Sequence, residues 1–312
     1  MGKTHSNIKT VEMQGEKLYN VEKMKGGAVM AQEIITVGPE HIRLPRRAAN
    51  SHKGDYGRLF ILAGSRGYTG AAALCARAAV RGGAGLVTVA VPEDSYPIVA
   101  VKCDEAMVWP LPEDDGAVLE KAKGCDAALI GPGLGQGERT GRLVLALLRT
   151  LNCPVILDAD GLNIVSGHID VLDGRAGETV LTPHEGEFSR LTGCPLPVRD
   201  RAGMARRFAQ AHRCTLVLKG HRMVTAFPDG TCAVNPTGNP GLAKGGSGDV
   251  LAGLMAALVA QGLENAVPAA VWIHGRAGDL AAEDKGEYGM TPSDVIERIP
   301  CAIKELMENR EE

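Results

Sequence analysis

Aromatic side chains and a surplus of positive charge are both scarce in this sequence of 312 residues. It has four Phe, five Tyr and two Trp, and its 34 Lys and Arg residues stand against 37 Asp and Glu residues, for a formal net charge of −3. Proteins that bind nucleic acid need a basic face and usually aromatic residues that stack on bases. The composition therefore argues against a nucleic-acid partner.

Long hydrophobic runs are also missing. The longest apolar stretch, residues 250–260, is too short to cross a bilayer and has helical spacing. Residues 1–10 contain no apolar segment of the kind that a secretory signal peptide carries. We therefore expect a cytoplasmic protein with no membrane partner.

Clustered cysteines are absent, although the chain has eight of them. No pair has Cys-x-x-Cys spacing, and none stands at ligand spacing from a histidine. Several lie beside β-like runs, as Cys153 does before Val155. The pattern excludes a disulfide framework, offers no metal ligands and favours buried, reduced thiols.

Glycine is present in excess. It accounts for 40 of 312 residues, about 13% against roughly 7% in an average protein, while the apolar fraction of 45% is ordinary for a globular chain. Many glycines with few aromatics indicate close backbone approaches, such as loops that hold a phosphate.

Short β-branched runs alternate with Ala-rich helical stretches from residue 34 onward. Strands are predicted at Arg58–Leu62, Leu86–Val91, Ala127–Ile130, Val155–Leu157, Thr179–Leu181, Thr215–Leu218, Met223–Ala226 and Thr231–Val234. Helices are predicted at Gly70–Gly82, Arg139–Leu151, Glu185–Leu191, Arg199–His212, Gly248–Gln261 and Val267–Glu283. This alternation predicts an α/β fold with a mainly parallel sheet and helices on both faces. Residues 34–310 are predicted to form one domain, and residues 1–33 an N-terminal extension.

The strongest chemical signal is a glycine-rich turn before an apolar helix. Gly245, Gly246 and Gly248 precede the helix directly, and Asp249 falls in its first turn. A helix N-terminus offers unpaired N–H groups and a positive dipole end, which favour an anion such as a transferring phosphate. Asp249 is then placed to act as a general base, and the alternative is a helix-capping aspartate.

Common phosphate and hydrolase motifs are missing. The sequence has no G-x-x-x-x-G-K-[ST], no G-x-G-x-x-G at a strand-to-helix turn and no H-E-x-x-H. The glycine run ends in Asp249 and is not a serine-hydrolase elbow. P-loop, dinucleotide-fingerprint, zinc and serine-hydrolase functions are therefore disfavoured.

Six further segments, several of them rich in glycine, precede this turn in the sequence. They are His52–Arg58, Gly64–Ala72, Arg81–Val87, Gly131–Gly135, Leu157–Asn163 and Leu181–Glu187. With the turn that ends in Asp249, they resemble the ADP/ATP-dependent NAD(P)H-hydrate dehydratases of the ribokinase-like superfamily. The resemblance covers about residues 34–305.

The resemblance implies a ribokinase-like three-layer αβα sandwich and a nucleotide-repair lyase. In this activity ADP, or ATP, phosphorylates the ring hydroxyl of the S form of NADH hydrate or NADPH hydrate, with Mg²⁺ bridging the nucleotide phosphates. Phosphate then leaves and restores NADH or NADPH, so that ADP gives AMP and phosphate. The family also implies a homo-oligomer, a tetramer, and a separate NAD(P)H-hydrate epimerase acting on the same substrate pool, because residues 1–33 are too short for the fused epimerase domain.

The resemblance also assigns site residues, none of them a metal ligand. The catalytic base is Asp249. The hydrate contacts are Ala71, Gly133, Gly135, His184 and Asp249. The nucleotide contacts are Lys219, Gly220, His221, Arg222, Met223, Gly245, Gly246, Ser247 and Gly248.

Several positions leave alternatives open. Relatives usually carry Thr where Met223 stands, and Thr225 is the nearby residue that would replace the lost hydroxyl. Lys244 either contacts the β-phosphate or faces water. Asp158 and Asn163 either support the site or form an ordinary strand-end turn.

Two other functions remain as alternatives. One is a ribokinase-like small-molecule kinase for vitamin precursors, which leaves the phosphate on its product. The Gly131–Gly135 and Leu181–Glu187 segments together fit the dehydratases better. The other is a nucleotide-sensing module, which would have no need of Asp249.

Overall fold

The computed structural model describes residues 18–20 and 32–308. The strands are β1 (Leu18–Asn20), β2 (Gln32–Thr36), β3 (Arg58–Leu62), β4 (Leu86–Val91), β5 (Met107–Pro110), β6 (Ala127–Ile130), β7 (Val155–Leu157), β8 (Thr179–Leu181), β9 (Thr215–Leu218), β10 (Val224–Ala226) and β11 (Cys232–Val234). The helices are α1 (Thr69–Arg81), α2 (Tyr96–Lys102), α3 (Asp115–Lys123), α4 (Glu138–Thr150), α5 (Asp160–Val165), α6 (Asp170–Asp173), α7 (Glu185–Thr192), α8 (Arg201–Ala211), α9 (Ser247–Ala260), α10 (Ala266–Gly289) and α11 (Pro292–Glu308). Short 3₁₀ turns lie at Pro39–His41, Lys53–Tyr56 and Pro240–Leu242.

The strands of the described chain form one eleven-stranded sheet in the order β1-β2-β11-β10-β9-β8-β7-β6-β3-β4-β5. Every neighbouring pair from β9 to β5 is parallel. β10 is antiparallel to both β9 and β11. β2 is parallel to β11 and antiparallel to β1. The prediction of a mainly parallel sheet is confirmed.

Alternate side chains of the strands enter two separate cores. Along β3, Leu59 and Ile61 belong to the core that contains residues of α1, α2, α9, α10 and α11, whereas Phe60 and Leu62 belong to the core that contains residues of α3 to α8. All four side chains are at most 1% exposed. A strand buried on both faces needs apolar residues at successive positions, which is the continuous pattern that the sequence carries. The three-layer αβα prediction is confirmed.

The strand order reverses between β3 and β6, which are neighbours in the sheet. From β3 the chain moves outward to β4 and β5, then returns to β6 and moves the other way to β9. In an open parallel sheet, ligands bind beyond the carboxyl ends of the strands at such a reversal. This edge is therefore where the fold places a functional site.

The predicted boundary between residues 33 and 34 falls inside β2. Residues 18–20 pair with β2 as strand β1. The other residues of the predicted extension, apart from 32 and 33, lie outside the described residues. The division into extension and domain stays a prediction.

All eight cysteines are free, as the scattered spacing predicts. Four are buried, and three are partly buried. Cys301 is exposed on α11, so the prediction of buried thiols is wrong for this residue. No helix in residues 32–308 has both the length and the apolar character needed to cross a membrane.

Close packing of α1 on α9 depends on Gly253. A Cβ at this position would lie 2.2 Å from the carbonyl oxygen of Cys75. We expect Gly253→Ala to lower the free energy of unfolding by about 1–3 kcal/mol, because the two helices must move apart. Urea unfolding measures this loss. In the matched control Gly141→Ala, a Cβ on α4 meets nothing within 4 Å, so the change should be neutral or stabilising by up to about 1 kcal/mol. Equal stabilities for the two variants would contradict this packing.

Candidate active site

The predicted site residues follow the carboxyl ends of neighbouring strands. The glycine loop 131–135 follows β6, Asp158 follows β7, His184 follows β8 and Lys219 follows β9. The backbone N–H of Gly64, just after β3, donates to the Pro132 carbonyl at 2.8 Å. The loops on either side of the strand-order reversal are thus joined.

The glycine-rich turn leaves the start of α9 open. Gly246 has a φ of 100°, in the left-handed region that favours glycine, and α9 begins after it without a side-chain cap. A Cβ at Gly245 would meet nothing within 4 Å. The Ser247 N–H already donates to the Lys244 carbonyl at 3.2 Å, so the uncrowded space suited to an anion lies beside Gly245, at the start of this fourteen-residue helix.

Asp249 lies in the first turn of α9. Burial, together with the negative charge of Asp158, raises the pKa of its carboxyl to about 6, although the positive charge of Lys219 opposes the shift. A carboxylate with a pKa in this range is better suited to accept a proton near neutral pH than an exposed aspartate. Its side chain caps no helix among the described residues, which argues against the capping alternative.

Lys219 lies inside a group of acidic side chains rather than on the surface. Its Nζ is 2.6 Å from Oδ1 of Asp158 and 3.8 Å from Oε2 of Glu187. The Thr182 hydroxyl donates to the same Asp158 oxygen at 2.8 Å. Burial alone would lower the pKa of Lys219, but the adjacent carboxylates raise it above its usual value. Asp158 therefore supports the site as an ion-pair partner of Lys219.

This acidic group borders the glycine turn. A Cβ at Gly248 would lie 3.5 Å from Nζ of Lys219 and 4.0 Å from Oδ2 of Asp158. The charges of both side chains also affect the pKa of Asp249, the next residue: Asp158 raises it and Lys219 lowers it. The Asp249 carboxyl, the Lys219 ammonium group and the start of α9 are thus placed together.

His184 stands at the start of α7 as its N-cap. Its Nδ1 accepts from the backbone N–H groups of Gly186 at 3.0 Å and Glu187 at 3.3 Å. The ring proton therefore lies on Nε2, and 55% of the side chain is exposed. Its Nε2 lies 3.5 Å from Oε1 of Glu187, at the carboxyl edge of the sheet.

The glycine loop is held by Asp160 and adjoins α1. The Gly135 N–H donates to Oδ2 of Asp160 at 2.8 Å, and Gln136 donates to Oδ1 at 2.9 Å. Gly133 has a φ of 60°, and a Cβ there would lie 2.9 Å from that of Ala71. Gly133 thus lies directly against Ala71, and Gly135, two residues further on, is held by Asp160.

The segment that follows Lys219 forms an exposed turn. Arg201 donates to the Lys219 carbonyl at 3.0 Å and the His221 carbonyl at 3.3 Å. His221 and Arg222 are exposed, and Met223 packs against the core. Thr225 is 2% exposed within β10, and whether its hydroxyl replaces the one missing at Met223 stays an open alternative.

Lys244 takes neither of the two orientations considered from the sequence. Its Nζ donates to the backbone carbonyls of Tyr288 at 2.7 Å, Glu287 at 3.4 Å and Met290. A lysine at the end of a helix stabilises the last carbonyls and the negative end of the dipole. Lys244 thus ties the glycine turn to the end of α10.

Sequence reasoning did not identify several residues of this site. Asp160, Thr182 and Glu187 were not singled out. All three lie in the segments that follow strands β7 and β8, and this position was the available signal. Asn163 also has a support role, because its Oδ1 accepts from Arg190 of α7 at 2.8 Å.

The glycine turn before α9 has no side-chain cap, is followed by Asp249 and lies at the carboxyl edge of a mainly parallel sheet. These features are typical of the ribokinase-like class of proteins, and a solved structure of a ribokinase-like protein has the same fold. The sequence profile of the NAD(P)H-hydrate dehydratase family matches residues 59–301. The chain belongs to this family.

Individual relatives agree with this assignment. The chain is 43% identical to the bifunctional NAD(P)H-hydrate repair enzyme Nnr of Moorella thermoacetica over 293 residues, 90% of this chain and 55% of that protein. It is 38% identical to the ADP-dependent (S)-NAD(P)H-hydrate dehydratase of Bacillus subtilis, with 85% of this chain and 96% of that protein covered. The crystal structure of a B. subtilis ADP/ATP-dependent NAD(P)H-hydrate dehydratase, co-crystallised with ATP and Mg²⁺, superposes with a TM-score of 0.77 at 35% identity, covering 88% and 99% of the two chains. The chain spans about half the length of the bifunctional relatives.

Proposed function

We propose that this chain is an ADP-dependent (S)-NAD(P)H-hydrate dehydratase, a lyase that restores NADH and NADPH from their hydrates. The observation that carries the proposal is Asp249, whose pKa is raised to about 6 in the first turn of an uncapped helix. The proposed substrate and phosphoryl donor are those of the similar dehydratases of B. subtilis.

In the proposed reaction, Asp249 accepts the proton of the ring hydroxyl as the phosphoryl group is transferred to its oxygen. A hydroxyl is a poor leaving group and phosphate is a better one, so loss of phosphate with a proton from the adjacent carbon restores the double bond. The N–H groups of residues 245–248 hold the transferring charge, which is the main task of a protein in such transfers. Ala71, Gly133 and Gly135, with the His184 ring, position the hydrate.

The residues at the site fit a nucleotide with its metal ion. A Cβ added at Gly245 would meet nothing within 4 Å, which leaves the backbone there open to an approaching phosphate. No three metal-ligating side chains come together in residues 32–308, which fits Mg²⁺ held mainly by phosphate oxygens and water. When bound, the ion neutralises charge on the nucleotide phosphates.

We also propose that the chain acts in the cytoplasm as a homo-oligomer, a tetramer, and that a separate epimerase supplies the S form of the hydrate. The bifunctional repair relatives support a link to a second repair activity. Light scattering on the purified full-length chain tests the tetramer, which a monomeric mass would contradict.

The activity is tested with the purified chain, Mg²⁺ and hydrated NADH, with ADP, ATP or no nucleotide. We expect the absorbance of reduced nicotinamide to return with ADP, and the rate with ATP relative to ADP to define the donor preference. No recovery with either nucleotide would contradict the proposed function.

ADP binding at the glycine turn should stabilise the fold. With Mg²⁺ and ADP at a hundred times the dissociation constant, mass action adds about 2.7 kcal/mol of stability, which a thermal shift detects. Gly245→Asp should weaken ADP binding at least about tenfold, because its carboxylate repels phosphate near the helix start. The neutral control Gly245→Asn should lose less. Equal ADP affinity of the two variants would show that the phosphates of ADP bind away from the glycine turn.

Activity should fall at acid pH because the base must be ionised. The pKa of Asp249 is raised to about 6, so kcat/KM should fall about tenfold per pH unit below that value and be level above it. Protonation of Asp249 does not itself destabilise the fold, because its folded pKa exceeds the unfolded value. Thermal unfolding at each pH is the control, and full activity at pH 4.5 would contradict the assignment of the base.

A further inference from the structure

Two aspartates that flank Ala159, just after β7, bond to different parts of the candidate site. Asp158 pairs with Lys219 at 2.6 Å, among the predicted nucleotide contacts. Asp160 instead accepts from the N–H of Gly135 at 2.8 Å, among the predicted hydrate contacts. The backbone of the residue between them therefore determines which part of the site each carboxylate reaches.

The backbone of Ala159 has an unfavourable conformation for an alanine. Its φ of 49° and ψ of −115° match the first central position of a type II′ turn, which glycine usually occupies. The turn is closed by the Gly161 N–H, which donates to the Asp158 carbonyl at 2.9 Å. A strained residue of this kind persists only where the surrounding contacts fix it, and such residues cluster at functional sites. The bonds of the two flanking carboxylates are contacts of this kind.

The strained turn also packs against the glycine loop that follows β6. A Cβ at Gly131 would overlap the carbonyl oxygen of Asp158 and would lie 2.5 Å from the backbone nitrogen of Gly161. Glycine at this position allows the two backbones to approach so closely. The start of the loop is therefore fixed by backbone contact with the turn, and its end, at Gly135, is bonded to the side chain of Asp160.

The carboxylate of Asp160 is also the centre of a polar network that reaches α7. One of its oxygens accepts from the glycine loop, and the other accepts from the amides of Gln136 at 2.9 Å and Asn163 at 3.4 Å. The Asn163 oxygen in turn accepts from Arg190 of α7 at 2.8 Å. Because His184 is the N-cap of α7, the network joins the two elements that carry predicted hydrate contacts, the loop and this helix.

We propose that Asp160 is a positioning residue for the hydrate, whose carboxylate holds the glycine loop ready before the hydrate binds. The proposal rests on the proposed function, because it takes this loop as a hydrate contact. A loop that is already ordered in the free enzyme loses less conformational freedom on binding, which raises affinity. Affinity for the hydrate therefore depends on Asp160, whereas affinity for ADP depends on the side of the site that Asp158 and Lys219 form.

Steady-state kinetics of Asp160→Ala separate positioning from general support of the fold. KM for the hydrate should rise about tenfold, because the loop loses a charged acceptor and must be ordered as the hydrate binds. KM for ADP and kcat should each change less than about threefold, since Asp158, Lys219 and Asp249 remain. A KM for the hydrate within twofold of the parental value, or an equal rise in both KM values, would overturn the proposal.

Two further variants serve as controls. Asp160→Asn keeps an oxygen that accepts from the Gly135 N–H, and the Gln136 amide can rotate to match it, so this variant should restore most of the affinity for the hydrate. Asp170 is an exposed acid in the first turn of α6, and Asp170→Ala should leave both KM values unchanged.

Amide hydrogen exchange in the parental chain gives a test that does not depend on a variant folding. The Gly135 N–H should be protected in the free chain, at least about tenfold relative to an unstructured peptide. Exchange at the unstructured rate before the hydrate is added would overturn the proposal.

Calorimetry with hydrated NADH alone separates this proposal from the proposed function. If the parental chain binds the hydrate but forms no NADH with ADP, the proposed function fails. The affinity of Asp160→Ala for the hydrate, expected to be about tenfold weaker than that of the parental chain, still decides the role of Asp160. If NADH forms and the two affinities are equal, the proposed function stands and the role of Asp160 is overturned.

Discussion

Replacing Asp249 with asparagine should lower kcat by about 10²–10⁴, the usual contribution of a positioned acid–base group. The substitution keeps the size of the side chain but removes the base. ADP binding should change little, since the backbone N–H groups of residues 245–248 remain. Initial rates of NADH formation and an ADP titration by thermal shift measure the two effects separately.

The control for Asp249→Asn is a first-turn acid of another helix that is not among the predicted site residues. Asp115 in α3 forms an ion pair with Arg139 at 3.0 Å, and Asp115→Asn should leave kcat unchanged. An Asp249→Asn enzyme at near-parental rate would contradict the mechanism. Joint loss of folding and ADP binding would instead support the helix-capping alternative.

Lys219→Met should lower the free energy of unfolding by about 3–5 kcal/mol. The substitution leaves the buried carboxylates of Asp158 and Glu187 without their cation, and broken buried ion pairs have costs of this size. Lys219 also opposes the raised pKa of Asp249. The acid limb of the pH–rate profile should therefore move to higher pH in the variant.

A second substitution tests whether the lost charge is the cause. Lys219→Met with Asp158→Asn removes one of the stranded carboxylates and should recover part of the stability. The surface control is Lys304→Met, whose ion pair with Glu308 is 74% and 62% exposed and whose loss should cost less than about 1 kcal/mol. Equal losses for Lys219→Met and Lys304→Met would show that the buried ion pair contributes little.

The predicted strands from β3 onward are confirmed because buried strands carry continuous apolar runs. β5 was missed: Met107–Pro110 is an edge strand with one exposed and three half-buried residues, and its pattern is weak. Helix α11 was also missed, since it contains Pro300, a residue that usually argues against a helix interior. α2, α3, α5 and α6 were missed too, and most of these are short.

The predicted residues do meet at the carboxyl edge, but their side-chain partners could not be predicted. The Lys219–Asp158 pair joins residues 61 positions apart, and local sequence pattern carries no information on such a pairing. Lys244 was expected at the phosphate or in water, and its direction depends on where α10 ends. The assigned roles of the individual site residues stay predictions.

The most direct test of the account is the stoichiometry of the complete reaction. Hydrated NADH, ADP and Mg²⁺ are incubated with the full chain, and NADH, AMP, inorganic phosphate and phosphorylated organic products are measured together. The account predicts one AMP and one phosphate for each NADH formed, with no phosphorylated product accumulating. Nucleotide consumption that leaves phosphate on an organic product, without formation of NADH, would identify a small-molecule kinase and contradict the account.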